Sequence, residues 1–307
     1  MHAAKIRRRR PRLLKRSYLF GYGLLLPALI VIGLVILYPM ADAIHMSFFE
    51  TGLLQLGPPR YIGLDNYTAL FQNAAFSTAL QNTVIWTIVN LIAQVTLGTA
   101  LAILLNEPLR GRALFRAVAL IPWIVPSVAA ALIWRYMYDP TSGLINSLLI
   151  RLGIIHANIV WLGETNTALN SVMLESIWKG TPFVMIIMLA ALQAIPHELY
   201  EAGEIDGAGA LQRFWYVVLP QVRASLALAA ILTIVYTVNN FNAIWLMTQG
   251  GPLHSTDILF TLAYEIAFTQ FDFGSAAALS VLLFVILLII GSGYIFLVER
   301  EERSSTP

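Results

Sequence analysis

Six apolar runs, each long enough to cross a lipid bilayer, dominate this sequence. A helix needs about 20 mostly apolar residues to span the hydrocarbon core, and five of the six runs contain no charged residue. With 58% hydrophobic and only 12% charged residues, the chain does not have the composition of a soluble domain. We therefore predict an all-α membrane protein with six transmembrane helices. The runs cover residues 18–40, 82–105, 117–134, 168–194, 224–247 and 273–298.

The distribution of basic residues predicts how these spans are oriented. Eight of the nineteen lie within residues 5–16, directly before the first run. With a cytoplasmic N-terminus, fifteen lysines and arginines fall inside, and only four lie outside or within the runs. Cytoplasmic loops carry the excess of Lys and Arg, so we expect both termini in the cytoplasm. Because the basic segment abuts a span, we interpret it as orienting the chain in the membrane, and we expect no nucleic-acid partner.

The sequence lacks cysteines, paired histidines and a phosphate-binding loop, the patterns that mark several kinds of functional site. The chain has no cysteine, and none of its five histidines stands at metal-ligand spacing from another, so we expect no metal site. A phosphate-binding loop of the form G-x-x-x-x-G-K-[ST] is also missing from the sequence. We therefore predict no cofactor and no enzymatic activity in this chain, and any ATP hydrolysis belongs to a separate subunit.

Two runs contain residues that are unusual in a span. Pro122 and Pro126 lie inside the third run, which predicts a kinked helix whose freed carbonyls bond to neighbouring helices. The fourth run holds Glu175 and Lys179, one helical turn apart in the favourable acid-first order. We expect a structural, bridging role for Glu175 and leave Lys179 open between structure and ligand binding. Three segments are expected outside: 41–81, 139–167 and 253–272, the last with a short helix around 257–268.

The segment 201–220, between the fourth and fifth runs, has two halves with different needs. Glu201, Glu204 and Asp206 favour water, whereas Phe214 and the apolar residues after it favour burial. An amphipathic helical turn that faces a partner protein satisfies both. Gly207 permits a tight turn after the helix, and Pro220 marks the start of the next element.

This segment resembles the EAA loop of ABC importer permeases. The match is carried by Glu201-Ala202, Gly207 and Leu219-Pro220, with Gly203 in place of the second alanine and Val217 in place of the usual isoleucine. The resemblance implies the type I ABC importer permease fold and a cytoplasmic coupling helix seated in an ATPase subunit. The residues that it assigns to ATPase coupling are Glu201, Ala202, Gly203, Asp206, Gly207, Ala208, Phe214, Leu219 and Pro220.

Further motifs are similar to permeases of the carbohydrate (maltose and multiple-sugar) type. They include Gly63-Leu64-Asp65-Asn66-Tyr67, Gly143-Leu144-Ile145-Asn146 and Trp161-Leu162. Gly250-Gly251-Pro252 after the fifth run resembles the first of two unlike permease subunits. The resemblance implies a complex in a prokaryotic cytoplasmic membrane. Its other members would be a second permease subunit, two ABC ATPase subunits or domains, and an extracytoplasmic solute-binding protein.

Polar residues inside the spans indicate where a solute would pass. Four of them recur at i, i+3, i+4 and i+7 along one face of the fifth run. Hydroxyls and an amide beside an aromatic ring suit a sugar, although the same groups also suit hydrogen bonds between helices. In maltose-type permeases, the resemblance adds a helix-breaking patch within residues 176–183. The candidate substrate-binding residues are Ser176, Lys179, Gly180, Phe183, Thr233, Tyr236, Thr237 and Asn240.

We therefore expect an ATP-driven importer subunit for a neutral di- or oligosaccharide. Two alternatives remain at this point: an ABC permease for glycerol phosphate or another small solute, and an ion-driven secondary transporter, for which Glu175 is the one acidic group available in the runs. The expected organisation is a basic N-terminus (1–17), a first helix with an external loop (18–77), a core permease domain (78–298) that contains the coupling loop (195–222), and a cytoplasmic tail (299–307).

Overall fold

The structure, a computed structural model, describes residues 16–52 and 57–305, and side chains within 22–52 and 57–296. Nearly all of the basic N-terminal segment on which the predicted orientation depends lies outside these ranges. The last helix continues to Ser305 and so includes most of the predicted C-terminal tail, 299–307.

Helices make up most of the described chain, as predicted. Five helical stretches in it are long and apolar enough to cross a membrane, and a sixth results when a bent pair of helices counts as one span. The elements are α1 (Arg16–Ile32), a π-helical segment (Gly33–Leu37), α2 (Tyr38–Met46), β1 (Phe49–Glu50), β2 (Arg60–Tyr61), α3 (Asp65–Gln72), α4 (Ala74–Asn106), α5 (Arg112–Ile124), α6 (Ser127–Met137), α7 (Leu144–Arg151), α8 (Ala168–Gln193), α9 (His197–Ile205), α10 (Ala210–Arg213), a second π-helical segment (Phe214–Val218), α11 (Leu219–Val238), α12 (Phe241–Met247), α13 (Leu259–Phe268) and α14 (Phe273–Ser305).

The third span is broken, not merely kinked as predicted. Its halves α5 and α6 meet at an angle of 92°. Pro126 disfavours the helical conformation of the residue before it, and Val125 has the extended ψ of 130°. The chain therefore leaves the helix at this point, and the carbonyl groups near the break need partners from elsewhere.

The fifth span differs from its predicted extent, 224–247, at its start and within it. It is helical from Ala210, so the second half of the predicted coupling loop is continuous with the span. It is interrupted at Asn239 and Asn240, where α11 ends, and the Asn240 side chain caps α12 by accepting from the backbone of Ala243 at 3.4 Å. Asparagine favours such caps because its side chain competes for backbone hydrogen bonds.

The expected helix-breaking patch within 176–183 is wrong. Helix α8 runs unbroken from Ala168 to Gln193, with Pro182 inside it. Thr181, directly before Pro182, donates from Oγ1 to the carbonyl oxygen of Ile177 at 2.6 Å, one turn earlier. The residues on both sides of Pro182 remain helical. Proline in a membrane helix is tolerated where side chains and neighbouring helices satisfy the backbone.

Helices α4 and α8 form the centre of the bundle. A Cβ atom built on Gly98 would lie 2.6 Å from Val184 Cβ, so the two helices approach closely where glycine stands. Buried apolar clusters pack against this pair along its length, one around Trp86 and Ile244 and another around Met185 and Met188. The first span is the exception, because its apolar window contributes nothing to the buried interior.

The external segments contain more structure than the predicted loops. Asn66 Nδ2 donates to the carbonyl oxygens of Ser47 and Phe49 at 2.9 and 3.0 Å, which fixes α3 to the chain around the two-stranded β1–β2 sheet. Trp161 Nε1 donates to Asn146 Oδ1 at 2.8 Å, so the two sugar-type motifs of the second external segment meet. The predicted short helix around 257–268 is present as α13.

Candidate functional site

A cavity of about 550 Å³ opens between the third, fourth and fifth spans. It lies halfway along α8 and beside the break between α11 and α12. All eight candidate substrate-binding residues line it, although α8, α11 and the break after α11 contribute them from distant parts of the sequence. They are Ser176, Lys179, Gly180, Phe183, Thr233, Tyr236, Thr237 and Asn240.

The α11 wall is polar and sits where the helix ends. Thr237 is almost fully buried, and its carbonyl oxygen accepts from Trp86 Nε1 at 2.9 Å, which ties this end of α11 to α4. Thr233, one turn earlier, has a buried Oγ1 with no hydrogen-bond partner among the described residues. A buried hydroxyl without a partner is costly, and a bound ligand can supply the missing bond.

An amide that the sequence analysis missed completes the opposite wall. Gln94 of α4 lines the cavity, and its Nε2 donates to Asn90 Oδ1 at 2.9 Å and to the carbonyl oxygen of Ser176 at 3.2 Å. A Cβ atom on Gly180 would overlap Gln94 Oε1, so a larger residue here would require the Gln94 side chain to move. The available signal was an uncharged polar residue inside an apolar run.

Lys179 interacts with the broken third span. Its Nζ donates to the carbonyl oxygens of Val125 and Pro122 at 2.5 and 3.4 Å, the groups freed at the break. In the described part of the chain it forms no ion pair with Glu175, and Glu175 Oε2 is buried without a hydrogen-bond partner there. The expected one-turn bridge is therefore not formed, because the freed carbonyls attract the ammonium group instead.

Two aromatic rings form the apolar part of the cavity. Phe183 and Tyr236 meet edge to face, with ring centroids 5.6 Å apart and an interplanar angle of 82°. Tyr236 is 65% exposed, so its ring and hydroxyl are open to a ligand. Trp123 adds a third ring, 6.4 Å from Phe183. The cavity thus combines hydroxyl and amide groups with ring faces.

The segment 201–220 forms a compact helical hairpin beyond the C-terminal end of α8. Helix α9 ends at Ile205, and Gly207 has a φ of 74°, as its predicted role in a tight turn requires. Gly203 is buried, and a Cβ atom at this position would lie 3.4 Å from Arg213 Cγ, while Arg213 itself pairs with Glu204. Pro220 stands at the start of the regular helix α11, as predicted, although the preceding residues are already helical.

The exposed face of this hairpin is mixed in character. Glu201, Ala202 and Asp206 are exposed, while Gly203 and Val218 face the interior. Phe214 packs against the buried cluster around Met185, whereas Ile205 and Leu211 are 87% and 72% exposed. Exposed apolar side chains next to carboxylates are typical of a surface that binds a partner protein.

Comparison with known proteins places the chain in a family. The family "binding-protein-dependent transport system inner membrane component" matches residues 94–302. The trehalose/maltose transport system permease protein MalF of Thermococcus litoralis is 35% identical over 273 residues, which cover 89% of this chain and 91% of that protein. The sulfoquinovosyl glycerol transport system permease protein SmoG of Agrobacterium fabrum is 34% identical over 279 residues, covering 91% of this chain and 90% of that one.

The fold is shared with a solved transporter. The crystal structure of a bacterial ABC transporter involved in the import of the acidic polysaccharide alginate contains a chain that matches with a TM-score of 0.80. The match covers 95% of this chain and 98% of the other at 24% identity, so it establishes the architecture. The chain belongs to the binding-protein-dependent transport system inner membrane components, the membrane-embedded permease subunits of ABC importers.

Proposed function

We propose that this chain forms half of the translocation path of a carbohydrate importer, and that the cavity between α5–α6, α8 and α11–α12 contacts the sugar. The observation that carries the proposal is that all eight candidate residues line this one cavity. Hydroxyl and amide groups exchange hydrogen bonds with sugar hydroxyls, and the rings of Phe183 and Tyr236 cover C–H faces. The names of MalF and SmoG, which denote sugar or sugar-conjugate transport, support this class of cargo.

We favour a neutral di- or oligosaccharide over an anionic cargo. Lys179 is the cavity's basic residue, and its ammonium group already donates to two backbone carbonyls. Releasing it to a phosphate would leave those carbonyls unpaired, at a cost of about 1–3 kcal/mol each. Glycerol phosphate therefore remains the second candidate, and family membership argues against the ion-driven transporter.

The coupling role belongs to the hairpin after α8. We propose that a separate ATPase subunit binds its exposed face, and that ATP-driven closure moves α8 and α11 together, since α11 is continuous with the second half of the hairpin and the short connection 194–196 joins α8 to the first half. We expect the contact to be made by the exposed residues Glu201, Ala202, Ile205, Asp206 and Leu211. Gly203 and Phe214, which the EAA resemblance also assigns to coupling, pack inward and would act by shaping the hairpin. A second permease subunit, two ATPase subunits or domains and an external solute-binding protein would complete the importer.

The core permease domain is proposed at 78–298. The family match over residues 94–302 supports it, and α4, which begins the domain, packs along α8 through Gly98. The first span, whose apolar window is unburied, would face lipid or the second permease subunit.

ATP hydrolysis by the purified complex tests the cargo class. The complex is reconstituted in lipid nanodiscs with its solute-binding protein and challenged with neutral oligosaccharides, phosphorylated solutes and cationic solutes. Stimulation by a neutral di- or oligosaccharide supports the proposal. Stimulation by phosphorylated or cationic solutes alone would retain the importer and remove the neutral sugar.

A further inference from the structure

Three potential metal ligands converge in the external segment after α12. His254 Nδ1 lies 2.8 Å from Asp257 Oδ2 and 3.5 Å from Glu265 Oε2. One ligand atom from each residue falls within 4.8 Å of the other two. Spacing between histidines in the sequence does not reveal a single imidazole that meets two carboxylates.

The charges of this cluster are unbalanced. The side chain of Asp257 is fully buried and that of Glu265 is 20% exposed. Among the ion pairs of the described residues, His254 is the partner of both carboxylates. A protonated imidazole offers one positive charge to two carboxylates, and a neutral one offers none. An ionised carboxylate is costly to bury without a compensating charge, and a divalent cation would balance both carboxylates.

The surrounding hydrogen bonds hold the ligands in place. Thr261 Oγ1 donates to Asp257 Oδ1 at 2.7 Å, which leaves Oδ2 directed at His254. Asn82 Nδ2 of α4 donates to the carbonyl oxygens of Ser255 and Asp257, each at 3.0 Å. His254 itself has a left-handed φ of 59°, which brings its ring beside the carboxylates. Outer contacts of this kind orient metal ligands in known sites.

We propose that His254, Asp257 and Glu265 bind one divalent transition-metal ion, with Zn²⁺ as the best match. Imidazole nitrogen with carboxylate oxygen is a common zinc donor set, whereas Ca²⁺ prefers oxygen ligands alone. Zinc bonds of about 2.0–2.2 Å place neighbouring ligand atoms roughly 3.3–3.6 Å apart in a tetrahedron. The His254–Glu265 separation already fits, and the His254–Asp257 separation must widen slightly. The His254 side chain is 40% exposed, so water can occupy a fourth position.

Such a site would fasten the segment after the fifth span to α13. His254 and Asp257 precede this helix, and Glu265 lies on it, two turns after Asp257. The metal would therefore stabilise the external surface without contacting the cavity that we assign to cargo, because the ligand set and the cavity lining have no residue in common.

Metal content of the full complex tests the site. The complex is purified with a tag that lacks histidine, stripped with a chelator, incubated with Zn²⁺ and dialysed, and zinc is then counted per complex. We expect His254→Gln and Glu265→Gln each to lose about one zinc and to bind at least ~10-fold more weakly, since even outer-ligand changes cost this much. His156→Gln, at an exposed histidine of another external segment, is the matched control and should retain it.

Thermal unfolding provides a second readout. Zinc should raise the midpoint of the wild-type complex and of His156→Gln, and leave that of Glu265→Gln unchanged. Because Glu265 is the partly exposed ligand, this variant keeps the test valid if His254→Gln fails to assemble. Equal zinc content and equal midpoint shifts in wild type and Glu265→Gln would overturn the proposal and leave a plain hydrogen-bonded cluster.

Discussion

The side-chain amide of Asn240 donates to the hydroxyl of Ser176 at 3.3 Å, which joins the break in the fifth span to the middle of the fourth. The carbonyl oxygen of Ser176 also accepts from Gln94, so one residue of α8 connects three helices at the cavity wall. Asn240 has a second task, because its Oδ1 caps α12. In the proposed cargo site, sugar binding and the shape of the broken helix would depend on the same side chain.

Replacing Asn240 with alanine should impair both functions. Loss of the cap should cost about 1 kcal/mol of stability, and loss of the amide should reduce cargo-stimulated ATP hydrolysis more than the basal rate. Asn170→Ala, at an exposed asparagine near the external end of α8, is the control. An Asn240→Ala complex with unaltered stimulation would show that this side chain does not serve the cargo.

Substitutions of Lys179 should distinguish a structural role of this side chain from a role in cargo recognition. Lys179→Met removes the donor to the carbonyls of Pro122 and Val125 and should lower the thermal midpoint and the uptake of every cargo together. Lys179→Arg keeps donors at this position and should restore much of both. Uptake assays with paired neutral and phosphorylated solutes distinguish the two roles. If Lys179→Met spared neutral sugars and abolished transport of the phosphorylated solute alone, Lys179 would be an anion ligand.

Two glycine-to-alanine substitutions should affect stability differently. At Gly98, the added Cβ would lie 2.6 Å from Val184 Cβ and 3.0 Å from the backbone nitrogen of Met185, so α4 and α8 must separate, at a cost of about 1–3 kcal/mol. At Gly203, the atom nearest to the added Cβ would be Arg213 Cγ at 3.4 Å, an ordinary contact distance. Alanine also favours the helical conformation over glycine by about 1 kcal/mol. Thermal unfolding of the two variants should show a clear fall for the first and none for the second.

The external motifs predict a local effect. Asn146 accepts from Trp161 Nε1 and from the backbone of Ile159 at 2.8 and 3.2 Å, and it donates to the carbonyl of Ile159. Asn146→Ala should release the 152–160 segment, which limited proteolysis from the external side would detect as faster cleavage. Cleavage at the wild-type rate would mean that other contacts suffice to hold this segment.

The sequence predicted the spans because about 20 consecutive apolar residues are long enough to cross a bilayer. Within lipid, a helix satisfies all the backbone hydrogen bonds of such a run. It also predicted that Thr233, Tyr236 and Thr237 share one face of α11, since a helical period of 3.6 places residues three and four apart on the same face. Asn240 lines the same cavity although α11 ends before it. Gly207 was predicted correctly for a similar reason: a turn with positive φ favours glycine.

The parts that failed depend on contacts between distant residues. The prolines of the third run predicted a kink, but the 92° break is stabilised by Lys179 from another helix. The resemblance to maltose-type permeases implied a helix-breaking patch within residues 176–183, yet α8 is unbroken there and Gly180 packs closely against Gln94. Lys179 was expected to have Glu175 as its neighbour, because local spacing does not show competing carbonyls 54 and 57 residues away in sequence.

Coupling should depend on the carboxylate of Glu201 in α9 and on the turn at Gly207. Glu201→Lys reverses an exposed carboxylate in the EAA segment, and Gly207→Asp adds about 1–2 kcal/mol of strain at a left-handed residue. Both variants should reach the membrane, hydrolyse ATP poorly and fail to transport. Glu198→Lys makes the same reversal one turn earlier and should be mild. Normal sugar uptake by both EAA variants would remove the coupling assignment.

The most direct test of an ATP-driven sugar permease is uptake into proteoliposomes that contain the whole complex. Radiolabelled neutral disaccharide and solute-binding protein are supplied outside, with ATP or a non-hydrolysable analogue trapped inside. We predict uptake that requires hydrolysable ATP and persists when an uncoupler abolishes the proton gradient. Uptake without ATP, or its loss on addition of the uncoupler at constant ATP, would contradict the account.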